Sequence, residues 1–237
     1  MHNPSIHQLY IGKVKELGDP HSTDKMDRPW TSGMFKTPVQ TAVWLSETGF
    51  IGDEVADKKN HGGPEKAVFA YPAQHYRDWQ EELGRDDQVM FPGAMGENFS
   101  VIHMDETTVC IGDTYQCGEA VIQVSQPRRP CWKPARRFRI LDMALRIQHS
   151  GKTGWYYRVL KSGYVQAGDV FELLDRPYEE WTIAASNRVM YEGKKDIDQT
   201  RALASCDRLA ENWKRTLDKR LQGIETSSDK RVFGPNR

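Results

Sequence analysis

The chain has 237 residues, with 33 Lys and Arg against 33 Asp and Glu, seven His, four Cys and a mean hydropathy of −0.71. A neutral balance lacks the long-range field of a nucleic-acid clamp, which is strongly basic as a rule. No stretch approaches the roughly 18 uninterrupted apolar residues of a membrane span, and residues 1–17 lack the apolar core and cleavage site of a secretory signal. Cys110, Cys117, Cys131 and Cys206 form no CxxC pair, and a chain this long needs no disulfides to build a core. The expectation is a reduced, cytoplasmic, globular protein that binds neither nucleic acid nor membrane.

Up to residue 175, short apolar runs alternate with Gly and Pro. Residues 9–17, 40–45, 66–71, 107–117, 121–126 and 169–174 are rich in Val, Ile, Thr or Tyr and are bounded by turns such as Gly112-Asp113 and Gly118-Glu119, which predicts strands. Three helices are predicted between them. The first, 72–83, has Pro72 in its first turn and Gly84 just past its end. The second, 136–149, carries Phe138, Leu141, Met143, Leu145 and Ile147, and the third, 155–160, stops before Gly163. Many short strands with few strong helices favour a barrel or sandwich over a doubly wound sheet, and no glycine-rich dinucleotide or P-loop motif occurs.

After Pro177 the pattern turns helical. Two short segments, 178–185 and 187–192, precede Leu203, Cys206, Ala210, Trp213, Leu217 and Leu221, which recur at steps of three and four as one stripe on a helix. The fold class that follows is mostly β with peripheral helices. A β-barrel domain spans residues 1–175. A small all-α three-helix segment, residues 176–225, docks on it because so few residues bury little alone. A polar, frayed tail occupies 226–237.

The chemistry concentrates in Gln126-Pro127-Arg128-Arg129-Pro130-Cys131-Trp132-Lys133, where six basic residues and no acid lie between Arg128 and Arg139. Cys131 stands between prolines in an extended loop after a strand, beside Arg129 and Lys133. Nearby positive charge stabilises thiolate over thiol, so Cys131 is the expected nucleophile and soft-metal ligand. A solvated helix start with an incidental cysteine is the competing account. The other three cysteines fall on strands or the helical stripe and are expected to pack.

A second candidate is His61-Gly62-Gly63, where glycines let backbone amides approach an anion and His61 can pass a proton. An ordinary glycine turn explains the same residues. Gly93–Ser100 offers a third glycine-rich loop, with Asn98 as its amide side chain. Zinc spacing is absent: His2, His7, His61, His75 and His103 make no HxxxH.

Taken together, Thr31-Ser32-Gly33-Met34-Phe35-Lys36, Gly52-Asp53, His61-Gly62-Gly63, Ala70-Tyr71-Pro72, Gly96-Glu97-Asn98, the Cys131 segment, Gly154-Trp155-Tyr156 and Gly168-Asp169 resemble the MOSC family. This is the domain found at the C-terminus of molybdenum cofactor sulfurases and in stand-alone bacterial proteins, and the match is to its YiiM branch. The resemblance spans about residues 31–174, and the helical region resembles the three-helix domain that follows in that branch. It implies a β-barrel with peripheral helices and a cysteine, here Cys131, that ligates molybdenum of a pterin cofactor or carries sulfur. Arg128, Arg129 and Lys133 would receive the cofactor's phosphate. Gly62 and Asn98 would add donors, and Thr31, Ser32 and Lys36 would form a third wall. The implied reaction is reduction of N-hydroxylated purines such as 6-hydroxylaminopurine, with His61 as proton donor and electrons from a flavin- or iron–sulfur-type reductase. Persulfide transfer by Cys131 and a non-catalytic cofactor-binding module are the alternatives. The helical segment would cap the barrel, dock the electron donor or make a homodimer contact.

Overall fold

The computed structural model describes residues 3–85, 89–224 and 227–237; His2 and Thr226 lie outside them. The N-terminal half forms β1 (Ser5–Ile11), β2 (Lys15–Leu17), β3 (Trp30–Ser32), β4 (Thr37–Val39), β5 (Val43–Ser46), β6 (Gly49–Phe50), the short α1 (Lys58–His61), β7 (Val68–Pro72) and α2 (Gln74–Leu83). Next come β8 (Phe99–Ile102), β9 (Thr114–Cys117), β10 (Ala120–Pro127), α3 (Lys133–Phe138), α4 (Met143–Ser150), β11 (Trp155–Lys161), β12 (Gly163–Val165) and β13 (Phe171–Asp175). Four helices close the chain: α5 (Ile183–Tyr191), α6 (Ile197–Ala204), α7 (Glu211–Leu221) and α8 (Asp229–Val232).

Eight strands make one mixed sheet in the order β13-β9-β10-β11-β7-β8-β1-β4, in which β7 and β8 are the parallel pair. The sheet curls until its far end meets β1. Ser5 bridges Val170, Ile6 N–H donates to the Asp169 carbonyl at 2.9 Å, and Phe171 N–H donates to that of Pro4 at 2.9 Å. This is the expected barrel, with its interior filled by side chains. The core holds Leu9, Phe99, Ile122, Val124, Trp155 and Tyr157, all fully buried. Ile183, Leu203, Trp213 and Leu217 from the C-terminal helices belong to the same continuous cluster. The helices are stitched on by main-chain bonds as well: Ala210 N–H donates to the Ser125 carbonyl at 2.9 Å, and Ile183 N–H to that of Val109 at 2.8 Å.

Five expectations are corrected. Residues 155–160 form not a helix but strand β11, bonded on one side to β10 and on the other to β7. Their aromatic and β-branched content suits a central strand, and the pairing available on both edges outweighs any local helical tendency. The predicted helix 136–149 breaks into α3 and α4, because Arg139 adopts a left-handed φ of 57° that ends the first. The C-terminal stripe likewise sits on two helices, α6 and α7, with a turn at 205–210 between them; Leu203, Cys206, Ala210, Trp213 and Leu217 are nevertheless all buried. The segments 178–185 and 187–192 merge into α5, capped by the Thr182 hydroxyl on Ala185 N–H at 3.0 Å. The tail is not frayed over 229–236: Val232 and Phe233 are buried against Ala144 and Leu145. No helix among the described residues is long and apolar enough to cross a membrane.

Candidate functional site

Strand β10 ends at Pro127, and the chain runs on without regular structure to Trp132, before α3 opens with Lys133-Pro134. The start of this loop is held by Gly154: Arg128 N–H donates to its carbonyl at 3.0 Å. Gly154 has φ +65°, and a Cβ there would lie 2.4 Å from the Ala70 carbonyl oxygen, so only glycine fits the turn that leads into β11. The loop thereby faces α1, which Asp57 caps by accepting from Asn60 N–H at 3.0 Å. The two candidate segments, 70 residues apart in the chain, meet in one pocket.

That pocket encloses about 780 Å³, counting its open mouth, and is lined by Cys131, His61, Arg128, Lys133, Asn98, Lys36 and Ser32 among others. Cys131 is 7% exposed. Burial alone would raise its thiol, but attraction to and a hydrogen bond from His61, the charge of Arg128 and the Lys133 backbone N–H outweigh it and bring the thiol down to about 6. Burial pushes the other thiols the opposite way: Cys110 and Cys206 rise to about 11, and Cys117 rises further. One cysteine of four is therefore set up as a thiolate at neutral pH.

The surroundings of Cys131 keep donors in reserve. Arg128 is buried, its guanidinium lies 5.0 Å from the centre of the Phe69 ring, and its Nη1 has no partner among the described residues. A buried guanidinium N–H left unpaired is costly and marks a place where an acceptor belongs. The Nδ1 of His61 lies 3.4 Å from the Tyr156 hydroxyl. Burial pushes Tyr156 up to about 12, so its hydroxyl stays protonated.

A second part of the lining is tied to itself. Asp53 accepts from Gly12 N–H at 2.9 Å, from Asn98 Nδ2 at 2.8 Å and from Lys36. Asn98 Oδ1 accepts from Phe69 N–H at 3.2 Å. The Lys36–Asp53 pair is buried, with 5% and 10% of the side chains exposed, and burial moves Lys36 below the usual lysine range although Asp53 opposes it. Gly96, at φ +84°, lies so close to Met34 that a Cβ would sit 2.6 Å from the Met34 Cβ.

Ser32, Lys36, His61, Asn98, Arg128, Cys131 and Lys133 thus line one pocket, whereas Thr31, Gly62 and Arg129 do not. Thr31 is exposed and pairs with Glu16 between β2 and β3. Gly62 is the extended C-cap of α1. Arg129 turns away from the pocket to donate to the Thr216 hydroxyl on α7 at 3.0 Å. The rest of the basic run braces loops. Arg136 donates to the carbonyls of Arg28 and Lys25, both at 2.6 Å, Arg137 donates to that of Met34, and Arg139 pairs with Asp24 at 2.6 Å. Asp53 and Tyr156 are lining residues that sequence reasoning missed. Asp53 does stand next to Gly52 in a matched stretch, but nothing in the spacing links it to Lys36. Tyr156 was hidden by the helical assignment of its segment.

Among the described residues, no three of His, Cys, Asp and Glu gather as a metal cage. A metal held at Cys131 would therefore depend on ligands that it brings along.

The MOSC domain model matches residues 57–172, and the model described as "YiiM-like, 3-alpha helix domain" matches residues 181–223. The uncharacterized protein YflK of Bacillus subtilis strain 168 is 40% identical over 204 residues, which cover 86% of this chain and 91% of the relative. Protein YiiM of Escherichia coli strain K12 is 38% identical over 227 residues, 95% of this chain and 97% of the relative. The crystal structure of YiiM from Escherichia coli superposes with a TM-score of 0.77 at 32% identity, covering 95% of this chain and 99% of that one. A protein of Gibberella moniliformis named "Reductase" is 38% identical over 76% of this chain, which spans only 31% of its length. With the family models, the relatives' identity and the superposed fold in agreement, the chain belongs to the MOSC family, in the branch that carries the YiiM-like three-helix domain.

Proposed function

We propose that this protein is a molybdenum-cofactor-dependent reductase of N-hydroxylated purines and related base analogues, with 6-hydroxylaminopurine as the type substrate. The observation that carries the proposal is the meeting in one pocket of an acidified Cys131 thiol, His61 and a buried Arg128 with an unspent N–H. These groups fit the cofactor's chemistry. A thiolate suits a thiophilic metal, and a guanidinium with a free donor suits the phosphate of the pterin. The fungal relative's name, reductase, agrees with the reaction class.

When bound, the cofactor supplies two-electron redox chemistry. The chain's own residues do the rest. Cys131 would hold the metal, and Arg128 and Lys133 would orient the cofactor through its phosphate. Phe69 and Tyr156 close the inner wall against water. His61, within reach of both the thiol and the Tyr156 hydroxyl, holds a proton for the departing hydroxyl. Two electrons and two protons enter, the N–O bond breaks, and amine and water leave. The electrons come from a separate flavin- or iron–sulfur-type reductase.

The test is a reductase-coupled assay on 6-hydroxylaminopurine with protein made in a cofactor-competent host. Formation of adenine that is lost in Cys131→Ser supports the proposal. Equal turnover by Cys131→Ser at full molybdenum occupancy refutes it. Mass spectrometry of Cys131 separates the sulfur-transfer alternative, which requires a labile added sulfur on that residue.

A further inference from the structure

The Cys131 loop is held from one side by a segment that neither family model reaches, since these cover 57–172 and 181–223. Helix α8 and the short 3-10 turn Gly234–Asn236 lie across the loop. Arg231 is the centre of the contact. Its guanidinium donates to the Pro130 carbonyl and, at 2.6 Å, to Oε1 of Gln148 on α4. Its own carbonyl accepts from Trp132 N–H at 2.9 Å. The Pro130 carbonyl belongs to the peptide bond before Cys131, and the Trp132 N–H to the peptide bond after it. Both peptide planes that flank the thiol-bearing residue are therefore bonded to one residue of the C-terminal segment.

Asn236 adds a second clasp. Its Nδ2 donates to the Trp132 carbonyl at 3.3 Å, and its Oδ1 accepts from Arg136 Nε at 2.7 Å. Gly234, at φ +50°, packs flat on the Trp132 ring, where a Cβ would lie 2.4 Å from ring atoms. Burial of Val232 and Phe233 against Ala144 and Leu145 anchors the segment independently of these polar contacts.

We infer that residues 229–236 form a strap that positions Cys131, with Arg231 as its positioning residue. Fixing both flanking peptides fixes the direction of the Cα–Cβ bond and so aims the sulfur into the pocket, the kind of support that a reactive group needs from the residues behind it. The strap itself lines no part of the pocket. This inference takes from the proposed function only that Cys131 is the group to be held. Its test uses neither cofactor nor turnover, so either claim can fail alone.

The experiment compares wild type, Arg231→Ala, Arg231→Lys and a chain ending at residue 228, all as cofactor-free protein. It reads hydrogen exchange at individual amides and the rate of Cys131 alkylation by iodoacetamide at pH 8. The Cys131 thiol is expected to react roughly tenfold faster in Arg231→Ala and in the truncated chain. The Trp132 amide, whose main-chain acceptor is lost only on truncation, should exchange roughly tenfold faster in the truncated chain, while central β10 amides such as Val124 keep wild-type protection. Arg231→Lys, able to restore one of the two side-chain bonds, should fall between. Wild-type alkylation of Cys131 in both Arg231→Ala and the truncated chain would overturn the inference. So would a uniform loss of protection across the barrel, which would make the segment a general stabiliser. If the truncated chain does not fold, Arg231→Ala decides, because it leaves Val232 and Phe233 in place.

Discussion

The pocket has two polar sides, and they are built on opposite principles. Around Asp53, charges and donors are spent on one another: the carboxylate takes Gly12 N–H, Asn98 and Lys36, and Asn98 also holds Phe69 N–H. Around Cys131, the protein keeps a thiol below its usual range and leaves Arg128 Nη1 without a partner among the described residues. A closed polar network fixes a shape, whereas an open one waits for a ligand. Lysine and arginine of the same charge thus serve different ends in one pocket, and only their partners tell them apart.

The comparison breaks most sharply at Cys131. Cys131→Ser should lower turnover of an N-hydroxylated base by roughly a thousandfold or more, the scale of removing a group at the reacting centre, with Tm and circular dichroism unchanged. On the closed side the loss should appear as stability instead. Lys36→Met leaves the Asp53 carboxylate buried without its cation and should cost about 3–5 kcal/mol in chemical denaturation; adding Asp53→Asn should recover part of that. Loss of turnover without loss of stability in Lys36→Met would place Lys36 on the ligand-receiving side.

Arg128→Met should be smaller on both counts. It removes charge-assisted bonds worth about 1.5–3 kcal/mol, so cofactor retention should fall roughly 10- to 100-fold, measured by equilibrium dialysis. The pH dependence gives a finer test. Alkylation of Cys131 should rise with an inflection near pH 6, because the thiol is the protonated, unreactive form below it, while Cys206 should stay slow until about pH 11. His61→Ala removes an attraction and a hydrogen bond that lower the thiol, so its inflection should move up toward the ordinary thiol range. An unmoved inflection would assign the acidification to the loop alone. The smallest effect is expected from Thr31→Val, whose side chain lies outside the pocket and should change neither turnover nor Tm.

Much of this arrangement is legible in the sequence, and the failures have physical causes. The barrel follows from short β-rich runs between turn residues, and the buried stripe from Leu203 to Leu217 follows from helical spacing, even though a turn at 205–210 divides the helix. Cys131, Arg128 and His61 stand out because charge, proline and glycine cluster visibly around them. What pattern alone does not show is which way a side chain turns. Arg129 resembles Arg128 in sequence, yet it reaches Thr216 on α7 rather than the pocket. Arg136, Arg137 and Arg139 look like an anion-receiving wall and instead brace the loop around residues 24–34. The tail is polar by composition, and its order comes from Val232, Phe233 and Arg231, whose partners lie about 80 to 100 residues away. Strand β11 was hidden because its partners, β7 and β10, are likewise distant in the chain.

The central claim is that Cys131 holds a molybdenum cofactor in this pocket. The most direct measurement is the molybdenum and pterin content of wild type and Cys131→Ser, each made in a cofactor-competent host and then incubated with cofactor released from a donor molybdoenzyme. The account predicts about one molybdenum and one pterin per wild-type chain and loss of the metal from the folded serine variant. Equal molybdenum in the two proteins, or none in either after incubation, would contradict it.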